Sequence, residues 1–266
     1  MSKHSSAFKI LQDQLKWVDL VFEVRDARVP LSSGHPNSQA IFGTKPRLII
    51  LAKEDLSDPV RNKVLLEDKD QFILLNLKTG KGKDKLFKLA LDLTKEKRAR
   101  DKAKGLLPRP IKACVVGMPN VGKSTFINWI IGQKRAKTGN APGITKGAQW
   151  VRIHPQIELM DTPGFLPSTD YDTEAKFKLA LLNLLPEAHY EPIEIAEQAL
   201  GVIAKKYGHH LQYYFKDTLN LQEPTLAKIA LARNYLQPGG VPDVSRAAMI
   251  FLSELRAGKL GSITLD

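Results

Sequence analysis

The chain predicts a doubly wound α/β domain over residues 1–172, followed by a smaller all-α domain over residues 173–266. Three observations carry this. Short apolar runs alternate with helical stretches through the first part of the chain. One of those runs opens straight into a glycine-rich loop, and the final third shows helical periodicity alone. Buried strands separated by helices build a parallel sheet whose functional loops lie at the strand C-termini.

The 266 residues leave room for both domains. Hydrophobic residues make up 43% of the chain, enough for a sizeable core, and no run is long and apolar enough to span a membrane. The single cysteine, Cys114, rules out a disulfide within the chain and suits a reducing, cytoplasmic setting. The six histidines show no metal-ligand spacing. A net charge of +12 favours a polyanionic partner, although basic surfaces also occur on proteins that bind no nucleic acid.

Met1 to Lys9 contains Ser and Lys and no acid, as transit peptides do. Phe8, Ile10, Leu11 and Leu15 at roughly helical spacing instead predict a short amphipathic helix. Val18 to Val24 is a mostly buried strand that leaves through Arg25-Asp26-Ala27-Arg28-Val29-Pro30. A second strand, Arg47 to Leu51, runs into Ala52-Lys53-Glu54-Asp55. A helix around Asp58 to Asp70 precedes a third strand, Gln71 to Leu75, whose exit is Asn76 to Gly82.

From Lys83 a helix is expected to extend into Thr94 to Lys112, which holds eight Lys/Arg against two acids. Gly105, Pro108 and Pro110 then break it into a linker. Two readings of these charges stay open, a solvated face and an RNA-facing patch.

Next come a buried strand, Ile111 to Val116, and Gly117-Met118-Pro119-Asn120-Val121-Gly122-Lys123-Ser124 with Thr125 behind it. Gly, four residues, Gly-Lys-Ser is the phosphate-loop pattern, here between a strand and a helix as it must be. The glycines let the backbone curl around a phosphate. Loop amides and the helix N-terminus face the anion, and Lys123 adds a full charge. The Ser124 hydroxyl stands where Mg²⁺ is held.

Gly132 to Gly147 is polar and glycine-rich, and its Thr145 is a second candidate Mg²⁺ ligand. Such a segment can be ordered by a γ-phosphate and its metal. Gln149 to Ile153 and Gln156 to Met160 read as a hairpin ending in Asp161-Thr162-Pro163-Gly164. Asp161 suits Mg²⁺ contact through water, and the Gly164 amide suits the γ-phosphate. Together these signals indicate a nucleotide switch rather than a metabolic kinase.

Asp55 supplies base recognition. In Asn-Lys-x-Asp, the carboxylate accepts from two N–H groups of guanine that adenine does not offer together. The stem of Lys53 can lie along the base plane. Ala52 replaces the usual Asn. The candidate nucleotide contacts are therefore Ala52, Lys53, Glu54, Asp55, Asn76, Asn120, Val121, Gly122, Lys123, Ser124, Thr125 and Gly164.

In an ordinary GTPase the base-reading loops come last. Here they precede the phosphate loop, and Asp26-Ala27-Arg28-Val29-Pro30 precedes them. This order, with Pro142-Gly143-Ile144-Thr145-Lys146-Gly147 and Gly239-Gly240-Val241-Pro242-Asp243, resembles the circularly permuted GTPases of the ribosome biogenesis GTPase A family. The resemblance runs from about Asp19 to the C-terminus. It implies a monomeric GTP-hydrolysing switch with Mg²⁺, slow alone and stimulated by the large ribosomal subunit, which it binds through rRNA late in assembly.

Phe165 stands where many GTPases carry a water-orienting Gln, and a phenyl ring cannot align water. The resemblance implies a His near the N-terminus, within a Trp-Phe-Pro-Gly-His-Met-like stretch that this chain lacks. His4, one residue out of register, is the candidate, with the catalytic residue left open. Asn120 matches the position that holds K⁺ in potassium-activated relatives; the alternative is an Asn chosen for its turn geometry.

The C-terminal domain, for which the resemblance implies an RNA or ribosome contact, reads as helices from Glu174 to Leu185, from Pro192 to Tyr207 ending at Gly208, and from an Asp243 N-cap to near Gly258. Tyr213, Tyr214 and Phe215 suit RNA stacking or, more often for such clusters, a core. Two other functions stay open: a nucleotide-sensing RNA-binding module with little turnover, and a phosphotransferase using the same loop.

Overall fold

The computed structural model describes residues 3–66, 71–132, 149–160, 164–165, 171–215 and 222–266. They divide into two compact units, one from residues 1–54, 59–170 and 266, the other from residues 55–58 and 171–265.

The first unit is built on a sheet. Its elements are α1 (Lys3–Lys16), β1 (Leu20–Asp26), α2 (Ser38–Phe42), β2 (Arg47–Ala52), α3 (Pro59–Leu66), β3 (Phe72–Leu75), α4 (Lys83–Leu93) and α5 (Lys95–Ala103). They are followed by β4 (Ile111–Gly117), α6 (Lys123–Ile131), β5 (Trp150–His154), β6 (Ile157–Met160) and β7 (Gly164–Phe165). The strand order is β3-β2-β1-β4-β6-β5, with β7 also pairing β4. Every pairing is parallel except the β5–β6 hairpin. Strand-helix alternation therefore gives the doubly wound sheet that the sequence predicts.

β1 is buried along its whole length. Its alternating side chains feed both faces: Val21 joins Leu11, Leu15, Ile41 and Phe42 under α1 and α2, while Phe22 meets Phe126 of α6 edge-on at 5.8 Å. Cys114 lies in the first of these clusters, and burial pushes its thiol up to about 12, so it serves as a small apolar residue. β1 also carries Glu23, fully buried, which accepts from Arg25 at 2.7 Å and Arg47 at 3.1 Å.

The expected single helix from Lys83 is instead two. Thr94 is buried, and its hydroxyl donates to the Ala90 carbonyl at 2.9 Å, which turns the chain between α4 and α5. α5 has no buried residue. α3 ends at Leu66, and residues 67–70 of that expected helix lie outside the described residues.

The second unit holds α7 (Thr173–Leu181), α8 (Pro192–Phe215), α9 (Leu226–Ala232) and α10 (Val244–Arg256). Asp172, Thr225 and Asp243 accept from the N–H groups of Ala175, Lys228 and Arg246, an N-cap for each of α7, α9 and α10. The expected stop at Gly208 is corrected: α8 kinks at Tyr207 (φ −136°) and continues, because Leu211 and Phe215 prolong its buried face. The Tyr207 hydroxyl explains the kink's position, since it donates to the Thr264 carbonyl and accepts from the Thr264 N–H. The aromatic cluster splits: Phe215 is buried, whereas Tyr213 is 90% exposed. No described helix is long and apolar enough to cross a membrane.

Candidate functional site

The C-terminal ends of β1, β2 and β4 carry the polar loops. β4 finishes at Gly117, where the chain passes so close to β1 that a Cβ would lie 2.5 Å from the Val24 carbonyl oxygen. Only glycine fits there. Asn120 then adopts φ 61° and Gly122 φ 108°, the left-handed turns that curl the loop before α6. Gly122 brings no side-chain acceptor to the first turn of α6, so those amides are left to face an anion.

Lys123 leads α6. Its Nζ donates to the Met118 carbonyl at 2.5 Å, across the loop it closes. Burial pulls this ammonium down to about 8. Ser124 and Thr125 follow, both exposed.

β2 ends at Ala52, fully buried, and Lys53 turns the chain at φ 62°. A Cβ on Gly122 would lie 3.6 Å from the Ala52 Cβ, so position 52 faces the phosphate loop. Lys53 Nζ donates to Asp26 Oδ2 at 2.7 Å and to the Asn120 carbonyl at 3.1 Å. Asp26, at the end of β1, is itself held by Arg28, whose Nε reaches Oδ1 at 3.0 Å. Burial acts to raise the Asp26 pKa, but the charges of Arg28 and Lys53 outweigh it and keep the carboxyl below its ordinary range. Glu54 and Asp55 enter a short 3₁₀ turn, Glu54–Leu56.

Two further elements close on the loop. Asn76 Oδ1 accepts from the Lys78 N–H, folding the exit of β3 into a turn. Trp129 of α6 donates its indole N–H to the Thr79 carbonyl at 2.7 Å, tying that turn to the phosphate-loop helix. On the other side, β7 sets Gly164 opposite Val116 and Phe165 opposite Gly117.

The structure thus brings Ala52, Lys53, Asn120, Val121, Gly122, Lys123, Ser124, Thr125 and Gly164 to one end of the sheet, with Asn76 beyond β3. Thr145, Asp161 and the intervening part of the hairpin exit lie outside the described residues, as does the side chain of His4, which falls in α1. Sequence reading finds Asp26 within the Asp26 to Pro30 strand exit but assigns it no role, and the structure sets it against Lys53. Trp129 is missed outright, since nothing in the sequence marks it as more than core.

An oxygen donor next to a phosphate-binding loop fits a hard divalent cation, and Ser124 is that donor among the described residues. Asn120 accepts from Lys53 Nζ through its backbone carbonyl and turns the chain at φ 61°.

Comparison with known proteins bears on this arrangement. The chain is 35% identical to a ribosome biogenesis GTPase A from Priestia megaterium over 98% of its length and 93% of that protein's. It belongs to the ribosome biogenesis GTPase A family. The Thermotoga maritima member is 31% identical over 96% of this chain and 88% of its own. The sequence signature described as "50S ribosome-binding GTPase" matches residues 112–217, beginning within β4. Among solved structures, GDP-bound YlqF superposes with a TM-score of 0.70 at 28% identity, covering 97% of this chain and 98% of that one. GNP-bound YlqF from T. maritima gives 0.68 at 27%, covering 98% and 97%. Family membership agrees with the P-loop GTPase fold and the helical C-terminal region.

Proposed function

We propose that this chain is a GTP-hydrolysing switch that binds the large ribosomal subunit through rRNA late in its assembly. The observation that carries the reading is the meeting of two loops: Lys53 of the Ala52-Lys53-Glu54-Asp55 segment reaches both Asp26 and the phosphate-loop carbonyl of Asn120. A phosphotransferase has no need of a base-reading segment there. Relatives named as ribosome biogenesis GTPases, and solved structures named as GDP- and GNP-bound, support the nucleotide and the assembly role.

In this reading the amides of Asn120 to Ser124 and the Lys123 ammonium bind the β- and γ-phosphates. Asp55 selects guanine, and Lys53 lies along the base plane. Ser124, Thr145 and, through water, Asp161 hold Mg²⁺, whose charge offsets that developing on the phosphates. Gly164 donates its amide to the γ-phosphate, and Asn120 offers K⁺ a ligand. The phosphate-loop order after the base-reading segments is a circular permutation, which the sheet tolerates because all loops stay at one end. The protein works as a cytoplasmic monomer, hydrolysing GTP slowly until the large subunit stimulates it.

The deciding experiment is a GTPase assay with and without purified large subunits, in K⁺ and in Na⁺, with ATP as competitor. Subunit-stimulated, K⁺-dependent turnover that ATP does not inhibit is expected. Inhibition by ATP would indicate a phosphotransferase. Phe165 in place of a water-orienting Gln favours one second reading, a nucleotide-sensing RNA-binding module; binding to subunits without stimulated turnover would establish it.

A further inference from the structure

The end of the sheet opposite the phosphate loop has its own concavity. Asp19 immediately precedes β1, Ile111 begins β4 and Gln156 precedes β6, three parallel strands that all start here. These residues line a cleft of about 610 Å³ whose other wall is α5 and the Leu106–Pro110 linker. Two further depressions share Asp19 and Lys97 with it. Together the three are lined by ten Lys and Arg against three carboxylates.

Two features separate this surface from an ordinary solvated face. First, two of its three carboxylates, Asp19 and Asp101, are already paired with cations. Burial acts to raise the pKa of Asp19, but Arg109 at 2.7 Å, the Lys112 N–H and Lys97 overcome this and hold it at about 2. Lys97 also pairs with Asp101 at 3.1 Å. Arg100, Lys102 and Lys104 of α5 and its end carry no ion pair among the described residues, so their charge is turned outward. Second, large apolar groups stand open between the cations: Trp17 is 67% exposed, Leu106 57% and Leu107 89%.

We propose that this cleft and its adjoining depressions bind single-stranded RNA, with α5 holding the phosphates, Leu107 in the cleft and Trp17 in the neighbouring depression receiving unstacked bases. Lysine and arginine around a concave floor follow a charged backbone, while a flat indole offers a base a stacking partner whatever its sequence. A membrane would call for apolar groups on a convex rim, and an acidic protein, which could also meet an indole, is separated from RNA by the competition below. The inference rests on the RNA-binding reading above and gives it an address in the first unit. β1 is seven residues long, so the cleft lies about 20 Å from the nucleotide end of the sheet.

The test uses the full chain and a fluorescein-labelled 12-nucleotide oligouridylate, with a 12-base-pair RNA duplex and poly-glutamate as competitors. Arg100→Glu/Lys102→Glu/Lys104→Glu changes only exposed side chains. It is expected to weaken oligouridylate binding more than tenfold and to lower the log–log salt slope by about two. Trp17→Ala is expected to weaken it about five- to a hundredfold with the slope unchanged. GDP affinity, measured on the same samples, should match the parent in both variants. Parental RNA binding in both variants would overturn the cleft while leaving RNA as the partner. No oligouridylate binding by the parent that still binds GDP would overturn RNA as the partner and the cleft with it, leaving the GTPase reading intact. Equal competition by poly-glutamate would make the surface an acidic-protein site, and stronger competition by the duplex would refute base stacking.

Discussion

The ammonium of Lys53 lies 2.7 Å from Asp26 Oδ2, joining the exits of the neighbouring strands β2 and β1. The same nitrogen donates to Asn120 in the phosphate loop, so one side chain links the Ala52 to Asp55 segment to that loop. Its backbone sits at φ 62°, a conformation a lysine keeps only when its surroundings hold it there. Lys53→Met retains the apolar stem and removes both contacts. GDP and GTP affinity should each fall about tenfold or more, since hydrogen bonds to charged groups are worth about 1.5–3 kcal/mol. Isothermal titration of both nucleotides checks this; parental affinity would refute the link.

Asp26→Asn should act differently, on stability as well as binding. Arg28 and Lys53 would then share a buried site without their carboxylate, and removing one partner of a buried pair costs about 3–5 kcal/mol. Urea unfolding of the two variants is expected to rank Asp26→Asn well below Lys53→Met. The reverse order would mean that Arg28 does not depend on Asp26.

Nucleotide affinity should depend on pH through Lys123. Burial holds its ammonium at about 8, while an adjacent phosphate favours the charged form. Below pH 8 the group is already charged and affinity should be flat. Above pH 8 binding must take up a proton, so Kd should rise about tenfold per pH unit. GDP titrations at pH 7, 8 and 9 read this directly, and a flat profile would show that Lys123 binds no phosphate.

Acid stability should depend on Asp19. Its folded pKa of about 2 lies below its ordinary 3.8, so its contribution is full above pH 4 and is lost as pH falls toward 2. Asp19→Asn should lower the melting temperature at pH 7 and flatten the decline of stability between pH 4 and 2. Thermal melts across that range would expose an unchanged slope, the outcome that removes Asp19 from the acid transition.

Position 52 offers a gain. Its Cβ faces Gly122 of the phosphate loop, where the customary Asn amide would brace the two segments. Ala52→Asn should tighten GTP and GDP together by about two- to tenfold, the equivalent of a neutral hydrogen bond at roughly 0.5–1.5 kcal/mol. Unchanged binding would mean that Lys53 already supplies the brace. Asp55→Asn should shift preference toward xanthine nucleotides, which a competition titration with XTP and GTP measures.

Much of this fold is legible in the sequence because its signals are local. Leu48 to Leu51 reads as a buried strand wherever it stands, and Gly117 to Ser124 has spacing that few other structures require. What escapes is set by partners distant in the chain. Thr94 breaks the long basic helix through its own hydroxyl, against a pattern that is helical on both sides. Tyr207 bends α8 because Thr264 waits for its hydroxyl, not because Gly208 follows it. Trp129 looks like a core residue on an apolar helix, and only the fold reveals Thr79 at the end of its indole. The reach of Lys53 to Asn120 spans 67 positions that no periodicity connects.

The position of β1 between β2 and β4 has a consequence for synthesis. A chain emerging N-terminus first presents β1, β2 and β3 before any of β4 exists. Those three strands can pair with one another, leaving one side of β1 as an open edge while residues 27–110 are made. An unpaired apolar edge invites association with other chains. Glu23 and Arg25, a charged pair set into that strand, stand where they would discourage a wrong neighbour until Ile111 to Gly117 arrives to cover it.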